Sequence, residues 1–373
     1  MNSIHPRQEA NANVADLGAH PQPPISIDLD PMLARLSREL PAGDYLYEPK
    51  WDGFRCLAFR EGDDIDLRSR NHRPLARYFP ELVEALAALD APRFVLDGEI
   101  VATRGGRLDF PSLLTRLHPA ASRVERLRHE APAAIVTFDL VACDDEDLRA
   151  APFAQRRRTL EAVLAKSSAP LFLTPMTADP TRARHWLRRF DGHGLDGVVA
   201  KRSTLRYEPG RRQMVKVKRE RTADCVVGGF RVFTNEPLPS SLLLGLYEGD
   251  VLHHVGVASS FDAQLRRSLL AELLRHATTL DGHPWESGFL LGGSPLGRLR
   301  GAAARWSPDE MDQDWIPLVP TLVCEVAYGQ VDDGRFRHPA RFRRWRPDRD
   351  ARSCRMEQLG SGVIDLREVV TSA

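Results

Sequence analysis

From Tyr45 to Arg70 the chain reads YLYEPKWDGFRCLAFREGDDIDLRSR, with apolar and polar residues alternating around a turn at Glu61-Gly62-Asp63-Asp64. Side chains on a strand alternate faces with a period of two, so this pattern predicts two antiparallel strands, with Lys50 at the edge of their sheet. Strand patterns return in RFVLDGEIVAT over residues 93–103, in AAIVTFDLVAC over 133–143, and in MVKVK over 214–218. Between them, helical spacing of apolar residues predicts helices over 80–89, 154–166 and 180–191. The acidic run Asp144 to Asp147 reads as a solvated hairpin tip.

A second pattern starts near Asp224. ADCVVGGFRVF, SLLLGLYEGDVLHHVGVA and TLVCEVAYGQV are strand-like, with a tight turn at Glu248-Gly249-Asp250 and an amphipathic helix over 261–276. Five short strands with one intervening helix outline an OB-fold barrel. The expected division is a tail over residues 1–24, disordered because it is rich in Asn, Ala and Pro, a mixed domain over 25–220, and the barrel with a C-terminal extension over 221–373. The hinge should lie near Arg219 to Thr222. At 373 residues the chain is long enough for two such cores.

The formal net charge is +1, so affinity for nucleic acid must come from local patches. Two are visible. Lys201 to Arg221 holds nine basic against two acidic residues, and Arg335 to Arg349 holds seven arginines opposed by Asp348 alone. The five cysteines are odd in number, widely separated and without a CxxC pair, which argues against a zinc site and a secreted disulfide framework. No apolar run reaches membrane-spanning length, and the N-terminus lacks a signal-peptide pattern. A cytoplasmic, monomeric protein without membrane association is expected.

Of 52 basic residues only five are lysines: Lys50, Lys166, Lys201, Lys216 and Lys218. Four of them sit in EPKWDGFR, DGVVAKR and MVKVK. Arginine keeps its proton in ordinary protein sites, whereas a lysine amine can be desolvated or crowded by cations until it becomes a neutral nucleophile. A chain so biased towards arginine keeps lysine where arginine would fail. Lys166, in a polar Lys-Ser-Ser stretch, reads as solvated.

KxDGxR is matched by Lys50, Asp52, Gly53 and Arg55. With SRN at Ser69-Arg70-Asn71, DGE at Asp97-Gly98-Glu99, FDL at Phe138-Asp139-Leu140, and MVKVK, the series resembles, in order and spacing, the motifs of the covalent nucleotidyltransferases. This superfamily comprises ATP-dependent DNA ligases, RNA ligases and mRNA capping enzymes. EPKWDGFR, LDGEIV, GLDGVVAKR and FRHPARFRRWRPDR resemble the bacterial ATP-dependent DNA ligases of the ligase C type and the ligase module of ligase D. The resemblance spans residues from about 28 to 355. It implies an α+β fold: an adenylation domain of antiparallel sheets with flanking helices, followed by an OB barrel.

The resemblance further implies that Lys50 takes AMP from ATP. Lys216, Lys218 and a bound divalent cation would lower the pKa of Lys50 and neutralise charge at the α-phosphate. Glu48 would read the adenine amino group and Phe138 would stack on the base. Arg55, Arg70 and Glu99 would hold ribose or phosphate, and Lys201 would also contact nucleotide. Glu99 and Asp196 would ligate Mg2+ or Mn2+, Asp196 standing where most of the superfamily has Glu. Arg346 and Arg349, in a sequence resembling RxDK, would orient the leaving pyrophosphate. Asp52 and Asp97 read as residues that shape the backbone. The implied activity is sealing of nicked duplex DNA in repair by a bacterial, nucleoid-associated enzyme, with other repair proteins as further partners. The alternatives are another covalent nucleotidyltransferase, such as an RNA ligase or GTP-using capping enzyme, and a catalytically silent OB-containing module that binds nucleic acid.

Overall fold

The computed structural model describes residues 25–190, 194–286, 315–332, 334–360 and 364–372. The expected tail over 1–24 and the last residue of the helix expected over 180–191 lie outside the described residues.

The first unit contains two sheets. The larger is built on the strands Asp64–Ser69, Phe54–Glu61, Arg93–Arg104 and Ala133–Cys143, antiparallel and adjacent in that order. The hairpin read around residues 61–64 is its first pair. Alternation here comes from a sheet with a core on one side: Cys56, Ala58, Leu67, Leu96 and Ile135 pack with Phe79, Leu82 and Leu86 of the helix Pro80–Ala87. Most of the Ala133–Cys143 strand is buried on both faces, which explains its nearly unbroken apolar run.

The second sheet has four strands, in the order Leu33–Ser37, Arg212–Val217, Leu195–Arg202, Tyr45–Trp51. Lys50 belongs to this sheet, on its edge strand, and not to the sheet of the hairpin that follows it. The chain crosses from one sheet to the other at Asp52-Gly53. Gly53 is required there, because a Cβ would sit 2.0 Å from the carbonyl oxygen of Ile100. The strand Leu33–Ser37 carries no clear alternation; it is placed by parallel pairing with Arg212–Val217, a contact across the length of the unit.

The strand Arg221–Val232 opens the second unit. It pairs with Pro239–Glu248 on one side and Val323–Tyr328 on the other, and the series continues through Val251–Ser259 and Ala340–Trp345 to close a five-stranded barrel. The helix Ala263–Arg275 is inserted before Val323–Tyr328, capped by the Asp262 side chain on the amide of Leu265 at 2.8 Å. Leu243, Leu246, Val255, Leu269, Leu273 and Val326 fill its interior.

The chain then returns to the first unit. Leu366 donates to the Gly106 carbonyl at 3.1 Å, and Leu108 donates to Ile364 O at 3.0 Å. Ile364, Leu366 and Val369 are buried against Tyr45, Trp51, Val101 and Trp186. By packing, residues 364–372 are part of the first unit's core.

Candidate active site

The register of the four-stranded sheet assembles the site. Glu48 pairs with Val199 and Val199 with Lys216, so these three form one row across the sheet. Lys50 and Lys201 lie two residues along their own strands and therefore point to the same face, while Lys218 follows just past the end of the Arg212–Val217 strand. That face, with Arg55, Arg70, Glu99 and Phe138 of the larger sheet, lines a cavity of about 240 Å3. Asp196 enters at a bulge opposite Lys50, where the register shifts between Leu195 and Val198. Its neighbour Gly197 has φ +123°, and a Cβ there would lie 2.1 Å from Val217 O.

Around Lys50 the nearest charges are negative. Lys50 Nζ is 2.8 Å from Asp196 Oδ2, which Lys218 also contacts. Burial alone would lower the Lys50 pKa, but Asp196, Glu99 and Asp52 outweigh burial, and the net displacement is upward. This corrects the expectation that Lys216 and Lys218 hold Lys50 uncharged: the depressed amine is Lys216, lowered by partial burial and then by Lys218 and Lys50. The physical reason is distance, since a carboxylate in contact outweighs cations farther off. Asp196 is correspondingly held below the usual carboxylate range: its two lysines overcome the upward push of burial. Glu99 accepts a hydrogen bond from the Gly53 amide at 3.1 Å, and burial pushes its carboxyl up to about 7 against the pull of Lys50 and Arg55.

A second charged cluster forms the inner end of the cavity. Glu48 is 2% exposed and Lys201 1%. Lys201 Nζ lies 2.9 Å from Glu48 Oε2, donates to Phe138 O at 2.8 Å, and sits 3.7 Å from Asp139 Oδ2. Asp139 is gripped by Arg156 at 2.7 and 3.0 Å, and Arg157 Nη1 reaches Glu48 Oε1 at 3.3 Å. Phe138 is 9% exposed, and the Arg55 guanidinium lies over its ring, 4.4 Å from the centroid. Arg55 is fixed by both oxygens of Asp97 at 2.6 Å, and Asp97 also accepts from Tyr207 Oη at 2.7 Å. Asp97 is therefore a buried anchor for Arg55, which corrects its reading as a residue that only shapes the backbone. Arg70 is exposed at the cavity wall.

Asp52 also does more than shape a turn. Its carboxylate receives Arg337 of the barrel unit at 2.8 and 3.0 Å. Arg337 is held in turn by Asp332 at 2.7 and 2.8 Å and by Gln330 at 2.8 Å, and lies 3.8 Å above the Phe110 ring. Arg346 and Arg349 are not on the cavity wall in this arrangement. Arg346 bonds both oxygens of Asp224 at 2.7 and 2.9 Å, and also Asp348; Arg349 Nε lies 3.2 Å from Asp224. The structure thus gathers Glu48, Lys50, Arg55, Arg70, Glu99, Phe138, Asp196, Lys201, Lys216 and Lys218, and leaves Arg346 and Arg349 apart. Sequence reading missed Arg157, Arg156, Tyr207 and Arg337. Each is one arginine or tyrosine among many, and only its partner distinguishes it.

A divalent cation fits the outer part of the cavity by chemistry. Glu99 and Asp196 supply hard carboxylate oxygens whose charges both act on Lys50, and the shortest contact in each of the Asp196 ion pairs is through Oδ2. Among the described residues no group of three or more His, Cys, Asp or Glu side chains is arranged to hold a metal by itself. A cation there would need water or a bound phosphate to complete its shell.

A two-sheet nucleotide-sized cavity carrying a lysine, followed by a five-stranded barrel, defines a nucleotidyltransferase-type ligase fold. The family described as ATP dependent DNA ligase domain matches residues 31–218, and the ATP dependent DNA ligase C terminal region matches 236–349. DNA ligase C2 of Mycolicibacterium smegmatis is 46% identical over 342 residues, 91% of this chain and 95% of the relative. DNA ligase C of Mycobacterium tuberculosis is 45% identical over 356 residues, 94% of this chain and 99% of the relative. The solved structure Pmar-Lig_Pre superposes with a TM-score of 0.54 at 15% identity, covering 85% of this chain and 68% of that one, and shows the fold alone. The chain belongs to the ATP-dependent DNA ligases.

Proposed function

We propose that the protein seals nicks in duplex DNA through three transfers that begin at Lys50. The Lys50 amine, having given up a proton, attacks the α-phosphorus of ATP; an N–P bond forms, the bond to the bridging oxygen breaks, and pyrophosphate leaves with the electron pair. AMP then passes to the 5′-phosphate of the nick and frees Lys50, and the 3′-hydroxyl displaces AMP to form the phosphodiester.

The observation that carries this reading is Lys50 on the wall of a cavity lined also by Glu48 with Lys201, by Glu99 and Lys216, and by Arg55, Arg70 and Arg212, with Asp196 in contact with the amine. Glu48 would accept from the adenine amino group, and Phe138 would offer the base a flat apolar face. Arg55, Arg70, Lys216 and Lys218 would hold ribose and phosphate and balance charge at the α-phosphate as pyrophosphate departs. Mg2+ or Mn2+ held by Glu99 and Asp196 would supply Lewis-acid neutralisation of phosphate charge. By pairing with that cation instead of Lys50, Asp196 would remove the contact that keeps the amine protonated. Arg346 and Arg349 would reach pyrophosphate after the barrel unit turns about residues 219–222. Basic side chains of both units would hold the DNA backbone, with binding that weakens steeply as salt rises. A role in DNA repair and contacts with other repair proteins would follow from the nick as substrate.

The test is mass spectrometry of the purified protein incubated with ATP and Mg2+. One added AMP, mapped to Lys50 and discharged by nicked DNA as strands are joined, is expected; Lys50→Ala should carry none and join nothing. An adduct on another residue, or GMP transfer from GTP in preference, would overturn the reading.

A further inference from the structure

Arg157 touches Glu48 from outside the cavity. It rises from the helix Phe153–Val163, whose inner face buries Phe153, Arg156, Arg157 and Leu160. Its guanidinium is pinned on three sides: Nη1 to Glu48 Oε1 at 3.3 Å, Nη2 to the Thr174 carbonyl at 2.8 Å, and Nε to Glu161 Oε1 at 2.8 Å. Thr174 is itself fixed, its hydroxyl accepting from Trp51 Nε1 at 2.9 Å. Arg157 is 5% exposed and does not line the cavity. Glu48 is thus clamped between two cations, Lys201 on Oε2 and Arg157 on Oε1.

We infer that Arg157 is a positioning residue for nucleobase choice: by gripping Glu48 from behind, it keeps that carboxylate an acceptor aimed into the cavity and so selects a purine that donates at its 6-position. This rests on Glu48 facing the base, as proposed above. An ionised carboxylate can only accept hydrogen bonds, which suits the 6-amino group of adenine. A 6-oxo purine presents an acceptor there, and two acceptors facing each other in a buried place repel and stay unpaired. A protonated glutamic acid would reverse the preference, since it can donate to a 6-oxo group. Burial pushes the Glu48 carboxyl upward in pKa, and Lys201 and Arg157 are the two cations that oppose it. Without Arg157 one opposing charge is gone and one oxygen is released.

ATP and ITP differ along this edge, at the 6-substituent and the N1 proton beside it, without the 2-amino group of GTP, so they probe the contact free of that group. The full-length protein, wild type and variants, is given each nucleotide with Mg2+, and formation of the AMP or IMP adduct on Lys50 is followed by mass. In Arg157→Gln the ratio of kcat/KM for ATP over ITP should fall roughly tenfold to hundredfold, the worth of one charge-assisted hydrogen bond. The loss should appear mainly as a higher KM for ATP, with kcat within about threefold, because Arg157 meets no reacting atom. Arg157→Lys, which keeps the charge, should recover most of the discrimination. An unchanged ratio in Arg157→Gln, or equal losses for both nucleotides with no rescue by lysine, would reduce Arg157 to a packing role and overturn the inference. If Arg157→Gln does not fold, Glu161→Ala decides: it frees Nε from the solvent side, and the ratio should drop about threefold or the proposal fails. Absence of any AMP adduct on wild-type Lys50 would instead refute the ligase reading on which the assay depends.

Discussion

Lys50, the proposed nucleophile, is surrounded by the wrong charges for nucleophilicity. Its amine rests on Asp196 at 2.8 Å, with Glu99 and Asp52 adding to the same sign of field. A lysine whose pKa is raised keeps its proton to higher pH, so in this arrangement Lys50 is an ammonium at neutral pH. The sign reverses if Asp196 loses its charge: burial, which disfavours the cation, then meets less opposition. Asp196→Asn should therefore move the pH at which an amine-directed reagent labels Lys50 downward from its position in the wild type. Peptide mass mapping across a pH series measures this, and an unmoved midpoint would show that Asp196 does not govern the amine. The identities of Lys50, Glu48 and Glu99 were legible because few lysines and a fixed spacing mark them. The sign of the field at Lys50 was not, because it depends on which charge lies within 3 Å, and Asp196 is 146 residues away along the chain.

At the level of elements, two glycines decide where the site's carboxylates point. Gly53 lets the chain leave the Lys50 strand and join the Arg93–Arg104 strand as its antiparallel neighbour, with its amide on Glu99 and no room for a Cβ beside Ile100 O. Gly53→Ala should cost about 2–3 kcal/mol, as overpacking against backbone does, and should slow AMP transfer more than Ala substitution at an exposed turn glycine such as Gly62. Urea unfolding and the rate of adduct formation give the two readings. Gly197 serves the bulge that turns Asp196 towards Lys50. The strands at 93–104 and 133–143 could be read from their apolar pattern, as could the helix Ala263–Arg275. The barrel strand Ala340–Trp345 was hidden, because Arg341, Arg343 and Arg344 obscure its alternation; Arg344 finds Glu325 at 2.7 Å, and Arg341 and Arg343 both contact Glu220.

At the scale of the molecule, the two units are held together at places far apart in sequence. Arg337 and Asp52 form a largely buried ion pair, with side chains 9% and 14% exposed. Removing one partner of such a pair leaves a charge without compensation, at a cost of about 3 kcal/mol or more. Arg337→Ala should loosen the barrel unit, seen as a larger radius of gyration in X-ray scattering. It should also spare lysyl-AMP formation while impairing later steps, since Arg346 and Arg349 already stand off the cavity when Arg337 is engaged. Equal loss in all steps would contradict that division. The second attachment is apolar. Ile364, Leu366 and Val369 are each 5% exposed or less, and removing residues 364–373 should lower stability by about 4 kcal/mol or more, at roughly 1.5–3 kcal/mol per buried side chain. Chemical denaturation of the shortened chain measures this, and a loss under about 1 kcal/mol would mean that the segment adds little.

Strand content, the barrel with its inserted helix, and the candidate set of charged side chains around Lys50 were all legible in the amino-acid order alone. Those are local properties: a period of two, a glycine after an aspartate, a lysine kept where arginine would serve elsewhere. Tertiary structure decided that Lys50 and the hairpin beside it belong to different sheets. It also decided that Asp52 and Asp97 anchor arginines, that Arg337 rather than Arg346 meets the first unit, and that Arg157 backs Glu48. Each of these depends on Coulomb and hydrogen-bond energies that fall off within a few ångströms, and only the fold sets such separations between residues distant along the chain.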